Sequence, residues 1–232
     1  MSLAGKTGWV FDLDNTLYPA ECDLFAQIDV RMSEYVSRLL SVDIDTARVT
    51  QKQYLVEHGT TLNGLMVVNG IDPAPYLDYV HDIDLSPVDP DPELARLVAA
   101  LPGKKIVFTN GSRGHAERVT DKLGLGGLFH HFFSIEDADY VPKPRPQAFA
   151  RLIAQCGVEP RQSVFFEDLA RNLEPAEALG FTTVLVTSTK DWSHEPPEAR
   201  PAGAGEAPAF VHHVTSDLKE FLRDALGLPS PA

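Results

Sequence analysis

The sequence predicts an α/β fold, a Rossmann-like parallel sheet core interrupted early by a small inserted helical cap, and three observations carry that prediction. Apolar runs of strand length recur at Trp9–Leu13, Ile106–Thr109, Phe132–Ser134, Val164–Phe166 and Thr183–Val186. They are rich in β-branched or aromatic residues and lack alternating polarity, as strands buried on both faces do. Helical segments with clear punctuation separate the later runs: Asp91-Pro92-Glu93 opens one, and Gly124, Gly157 and Gly180 close three others. That alternation implies right-handed βαβ crossovers. Finally, a stretch of roughly 70 residues, Tyr18 to Pro87, follows the first run, far too long for an ordinary βα connection.

The core is therefore expected over residues 1–17 and 88–232, with residues 18–87 inserted after the first strand. Within the insertion, Phe25, Ile28, Met32, Val36 and Leu39 recur at helical spacing and Asp72-Pro73 reads as a helix start, so a small helical bundle is expected. Ser188–Ala209, rich in Pro, Gly, Ala and Glu, reads as a surface loop. An edge strand over Phe210–Val214 and a last helix over Ser216–Leu226 complete the expected order.

Composition bounds the function. A chain of 232 residues, 44% hydrophobic, can bury a substantial core. Its formal net charge of -13 argues against nucleic acid or an anionic membrane as partner, since both demand clustered Lys and Arg. An anionic substrate must then be held locally, by a metal or a few placed cations. Cys22 and Cys156 are far apart, so neither a disulfide framework nor a CxxC metal site is indicated, and a reducing cytoplasm is the expected compartment. Asp12 stops the first apolar run, so no secretion signal is expected, and no stretch approaches the length of a transmembrane helix.

The strongest local signal is Val10-Phe11-Asp12-Leu13-Asp14-Asn15-Thr16-Leu17, a buried strand ending in two acids one residue apart. In open parallel sheets, ligands bind beyond the carboxyl ends of the strands. Residues i and i+2 of an extended segment share a side, so both acids are expected to address one substrate. At about 4 Å and an effective dielectric near 20 they would repel by roughly 4 kcal/mol, a conflict that a divalent cation resolves. After the second strand comes Phe108-Thr109-Asn110-Gly111-Ser112, where Thr109 offers a hydroxyl and the Asn110-Gly111 turn offers backbone N–H groups to an oxyanion. Lys143 lies between prolines in Val141-Pro142-Lys143-Pro144, a rigid loop suited to fixing a cation. The fourth strand ends in Glu167-Asp168, with Asn172 one helical turn on, a set of hard oxygen donors suited to Mg²⁺.

Taken in order, these four elements resemble the motifs of the haloacid dehalogenase superfamily over almost the whole chain. The resemblance implies a Mg²⁺-dependent phosphomonoester hydrolase. Asp12 resembles the nucleophile that forms an aspartyl-phosphate, and Asp14 the general acid/base, which also offers its backbone carbonyl to the metal. Thr109 resembles the phosphoryl-binding hydroxyl, Lys143 the screening cation and Asp168 the direct metal ligand, with Glu167 and Asn172 in support. Members that dehalogenate lack the second acid of the first motif, so Asp14 favours phosphate chemistry. Tyr54 to Leu65, with Phe11 to Tyr18 before it, is similar to the pyrimidine 5′-nucleotidase family, which implies UMP or CMP as substrate and places His58 and Asn63 near a base or ribose. Glu167-Asp168, where many relatives carry two aspartates, is shared with sugar phosphomutases, so a mutase and a phosphoglycolate-type metabolite phosphatase stay open. A phospho-accepting receiver module is disfavoured by motif order, length and the inserted cap.

Overall fold

A computed structural model describes residues 3, 5–193, 195–197, 200–202, 205 and 208–229. Its core is a six-stranded sheet in which every neighbouring pair is parallel, in the order β3-β2-β1-β4-β5-β6. The strands are β1 (Gly8–Phe11), β2 (Lys104–Phe108), β3 (His131–Phe133), β4 (Ser163–Glu167), β5 (Thr182–Val186) and β6 (His213–Thr215). Alternation within each buried strand feeds two separate cores. Trp9 and Phe11 of β1 and Val164 and Phe166 of β4 face one side, while Val10 and Phe165 face the other. The first side is covered by helices α5 (Pro92–Ala100), α6 (Arg113–Lys122) and α9 (Leu218–Ala225), the second by α7 (Pro146–Cys156) and α8 (Ala170–Ala178). Phe11 and Phe166 stack at 4.6 Å, and each such fully buried ring contributes about 1.5–3 kcal/mol.

Helices α1 (Leu24–Leu40), α2 (Ile44–His58), α3 (Thr61–Asn69) and α4 (Pro73–Val80) form the cap, with their own apolar cluster around Ile28, Val36, Ala47, Leu65 and Val80. Asp43, Thr60 and Asp72 supply side-chain N-caps, and Asp72-Pro73 does start a helix. Gly64 permits the tight α2–α3 crossing, since a Cβ there would lie 2.4 Å from that of Tyr54. One expectation in α1 shifts by a residue: Leu39 is exposed and Leu40 packs against the cap cluster instead.

Several boundaries move. The first strand stops at Phe11 rather than Leu13, and β3 starts and ends one residue earlier than expected. The edge strand is His213–Thr215, not Phe210–Val214, and the last helix starts after its Asp217 cap. Gly124, Gly157 and Gly180 do follow helices, each in the left-handed region that glycine tolerates. Parts of the Ser188–Ala209 loop lie outside the described residues. No helix among the described residues is long and apolar enough to cross a membrane.

Candidate active site

The sheet order turns about β1, whose neighbours are β2 and β4, so three strand ends deliver their next residues to one place. β1 delivers Asp12, β2 Thr109, and β4 Glu167 and Asp168. The Asp12 N–H donates to the Phe166 carbonyl and the Thr109 N–H to that of Phe133, so ladder bonds continue past the strand ends and fix the backbones of both residues.

Lys143 organises the floor. It is 1% exposed, and its Nζ donates to Asp12 Oδ1 at 2.6 Å, Glu167 Oε2 at 2.7 Å and the Phe108 carbonyl at 2.8 Å. Three acceptors saturate an ammonium. Asn110 holds the lysine loop from the side: its Oδ1 accepts from the Lys143 N–H at 2.8 Å and its Nδ2 donates to the Lys143 carbonyl. The Asn110 side chain therefore clamps the lysine, whereas its expected role was in the substrate-binding turn. The Gly111 N–H donates to Thr109 Oγ1 at 2.8 Å, which orients that hydroxyl.

Asp12, Glu167 and Asp168 bring carboxylate oxygens within 4.8 Å of one another, all buried. Burial and the Glu167 charge push the Asp12 carboxyl up to about 8, against the pull of Lys143. Burial, then Glu167 and Asp12, push Asp168 well above the carboxylate range. One ammonium does not balance three buried acids, and Asn172 Oδ1, in the same cavity lining, is buried with no partner among the described residues. This donor set fits Mg²⁺, which takes few carboxylates and keeps waters that an orphaned acceptor can receive. Asp12 and Asp168 would hold the ion. Glu167 is committed elsewhere, Oε2 to Lys143 and Oε1 to the Leu169 N–H, in keeping with support rather than direct ligation.

A pH dependence follows. With divalent ions chelated, folded Asp12 keeps its proton to about 8, whereas the unfolded group loses it near 3.8. Between those values the folded state binds more protons, so stability falls as pH rises through that window. Thermal melts in EDTA should show a lower Tm at pH 8 than at pH 5. Added Mg²⁺ should raise Tm more at pH 8, where fewer protons compete with it. Equal Mg²⁺ stabilisation at both pH values would contradict this picture of the cluster.

Asp14 takes a different position from that expected of a paired acid. Its carboxylate is absent from the three-acid cluster and instead accepts at Oδ1 from Tyr18 Oη at 2.5 Å and pairs with His115 Nε2 at 2.9 Å. Burial raises its pKa, but the His115 charge, the His115 bond and the Tyr18 hydroxyl outweigh that and hold it low. The cause of the separation is the early end of β1: Leu13 and Asp14 lie in a turn, so the shared-side rule of an extended strand lapses. Both acids still border the same cavity.

That cavity, about 320 Å³, lies between the strand ends and the cap. Phe25, Ile28, Met32, Leu55, Leu62 and Tyr76 give it apolar walls, with Arg48, Gln51 and Lys52 among them. Lys52 Nζ bonds Asp29 at 2.6 Å and Glu195 at 2.8 Å, tying the cap to the loop after β5. Trp192 from that loop also lines the cavity, and the Ala202 N–H donates to the Asp168 carbonyl. The cap residues expected to meet substrate are displaced by their neighbours. His58 ends α2, Asn63 Nδ2 donates to the His58 carbonyl at 2.7 Å, and neither lines the cavity. Gly59, Thr60, Thr61 and Leu62 of the same turn do.

The chain is 28% identical over 236 residues to phosphate metabolism protein 8 of Saccharomyces cerevisiae, covering 94% of this chain and 70% of that protein. It is 24% identical over 206 residues to fructose-1-phosphate phosphatase YqaB of Escherichia coli, covering 77% of this chain and 95% of that one. Among solved structures, a phosphatase from Thermococcus onnurineus superposes with a TM-score of 0.61 at 18% identity, over 95% of this chain and 98% of that one. An L-2-haloacid dehalogenase from Xanthobacter autotrophicus gives a TM-score of 0.58 at 18% identity, over 97% and 100%. The sequence matches the haloacid dehalogenase-like hydrolase family over residues 8–180, and the chain belongs to that family.

Proposed function

We propose that this phosphatase hydrolyses nucleoside 5′-monophosphates, pyrimidine ones first, through an aspartyl-phosphate on Asp12. The observation that carries the substrate half is the shape and lining of the cavity above Asp12. Its volume of about 320 Å³ lies at the small end of ligand sites. Its cap-side walls are mainly apolar, with Arg48, Gln51 and Lys52 as isolated polar groups among them, which suits a flat base with a polar edge better than a hexose, whose hydroxyls would each need a polar partner. Phosphoglycolate would leave most of that wall uncovered.

In the first step an Asp12 oxygen bonds phosphorus as the ester oxygen leaves. Lys143 screens the approach of two anions by bonding the nucleophile itself. Thr109 and the turn at Asn110-Gly111 receive the phosphoryl oxygens. Asp14 donates a proton to the departing alkoxide and then takes one from water, which attacks phosphorus and frees Asp12. Mg²⁺, held by Asp12 and Asp168 with the Asp14 carbonyl, would supply charge neutralisation at the transferring group.

A phosphate-release panel with Mg²⁺ tests the substrate: UMP, CMP, AMP, phosphoglycolate and hexose phosphates. UMP and CMP should exceed the non-nucleotides in kcat/KM by about tenfold or more, the worth of one well-buried ring contact. Equal or higher kcat/KM for a hexose phosphate or phosphoglycolate would assign the cavity to small metabolites instead.

A further inference from the structure

Tyr18 Oη at 2.5 Å and His115 Nε2 at 2.9 Å meet the same oxygen of Asp14, Oδ1. Two donors on one oxygen fix the rotation of the carboxylate and leave Oδ2 free of both, in a residue that borders the cavity. His115 sits on the first turn of α6, just after the phosphate-binding turn, and is fully buried. Its Nδ1 has no hydrogen-bond partner among the described residues, so this buried ring makes its bond to Asp14 and leaves its other nitrogen unsatisfied, which costs stability. A histidine placed only to fill the core would not be left so. His81, at the end of cap helix α4, stacks on His115 with centroids 4.5 Å apart and planes 13° apart. His81 is itself tied down: Nδ1 pairs with Ser112 Oγ at 2.9 Å, and its carbonyl accepts from Arg118 at 2.8 Å.

We propose that His115 is a positioning residue for the acid/base, gripping Asp14 Oδ1 so that Oδ2 is presented to the leaving group, with His81 carrying the hold of the cap to the His115 ring. This rests on the reading of Asp14 as acid/base. In the first half-reaction the bond from Asp12 to phosphorus forms, the ester P–O bond breaks, and the proton on Oδ2 passes to the departing oxygen. In the second, Oδ2 takes a proton from water as the water oxygen bonds phosphorus and the bond to Asp12 breaks, releasing inorganic phosphate.

The test compares kcat/KM, which reports the first half-reaction, for an alkyl phosphomonoester and for p-nitrophenyl phosphate, whose leaving group needs little protonation. His115→Met keeps bulk and removes the donor; His115→Gln keeps a donor near Nε2. H115M should lower the alkyl value about 10²-fold, the contribution of a placed acid, and the p-nitrophenyl value by less than about fivefold. H115Q should recover the alkyl value to within about tenfold of the unaltered enzyme. Equal falls for both substrates in H115M, or no recovery in H115Q, would overturn the proposal. If H115M does not fold, Tyr18→Phe removes the other grip and decides instead: a loss confined to the alkyl ester supports the proposal, and an equal loss overturns it. Asp14→Asn separates the two levels, because equal losses there show that Asp14 is not the acid, whereas a selective loss in D14N without one in H115M shows that only the positioning claim fails.

Discussion

Asp12→Asn should abolish magnesium-dependent phosphate release, by a factor on the order of 10⁴ or more in kcat, as loss of a covalent nucleophile does. The substitution is nearly isosteric and the fold should tolerate it, since an amide in this 6% exposed position removes a carboxylate that burial and Glu167 already disfavour. The variant should therefore melt no lower than the unaltered protein in EDTA, while losing its steep response to Mg²⁺. Phosphate release with UMP or p-nitrophenyl phosphate reads the chemistry, and acid-quenched labelling with radioactive substrate reads the intermediate. Label retained on the protein in D12N, or turnover within tenfold of normal, would remove Asp12 from the nucleophile role. Activity and stability thus move in opposite directions at this residue, a separation that a purely structural acid would not give.

The strand-end acids were legible in the sequence because a buried parallel strand is an apolar run, and a charge that ends it stands where the sheet opens to ligand. Asp12 and the Glu167-Asp168 pair follow that rule, and Thr109 is the neutral polar residue that follows β2. What surrounds them was not legible, for a physical reason. His115 reaches Asp14 across 101 positions, and His81 joins them from the cap through ring stacking, neither of which leaves a periodic trace. The only local hint was a histidine in the first helical turn after Thr109-Asn110-Gly111. The loop after β5 shows a second kind of blindness. Its Pro and Gly content does signal irregular backbone, but composition says nothing of location, and Trp192, Glu195 and Ala202 lie over the site. In the cap, Gly59 and Thr60 make the turn between α2 and α3 as local capping chemistry dictates, and that turn and the start of α3 border the cavity. His58 and Asn63 lie off the cavity lining, and the Asn63 side-chain amide is spent on the His58 carbonyl.

Lys143→Met should be the most destabilising single change at the site. Met keeps the length of the stem but offers no donor, and three acceptors converge on the ammonium it replaces. Two of them, Asp12 and Glu167, are carboxylates at 6% and 1% exposure, so water replaces the lost donor poorly. Breaking a buried ion pair by removing one partner costs about 3–5 kcal/mol, because the remaining charge is left without compensation. Urea unfolding in EDTA at pH 9, above the value of about 8 near which Asp12 ionises, should show a loss of that size, and kcat should fall at least about 10²-fold, as when a preorganised electrostatic group is removed. Lys143→Arg should rescue neither property, since a planar guanidinium cannot aim three donors at acceptors arranged around a point. The decisive arm is Lys143→Met combined with Glu167→Gln. Removing one of the stranded charges should return part of the lost stability while leaving activity low, a coupling that a double-mutant cycle measures directly. If K143M unfolds within about 1 kcal/mol of the unaltered protein, below the cost of one stranded buried charge, the acids are not held ionised by Lys143. They would then share protons among themselves, and the cation in this site would have to be the metal alone.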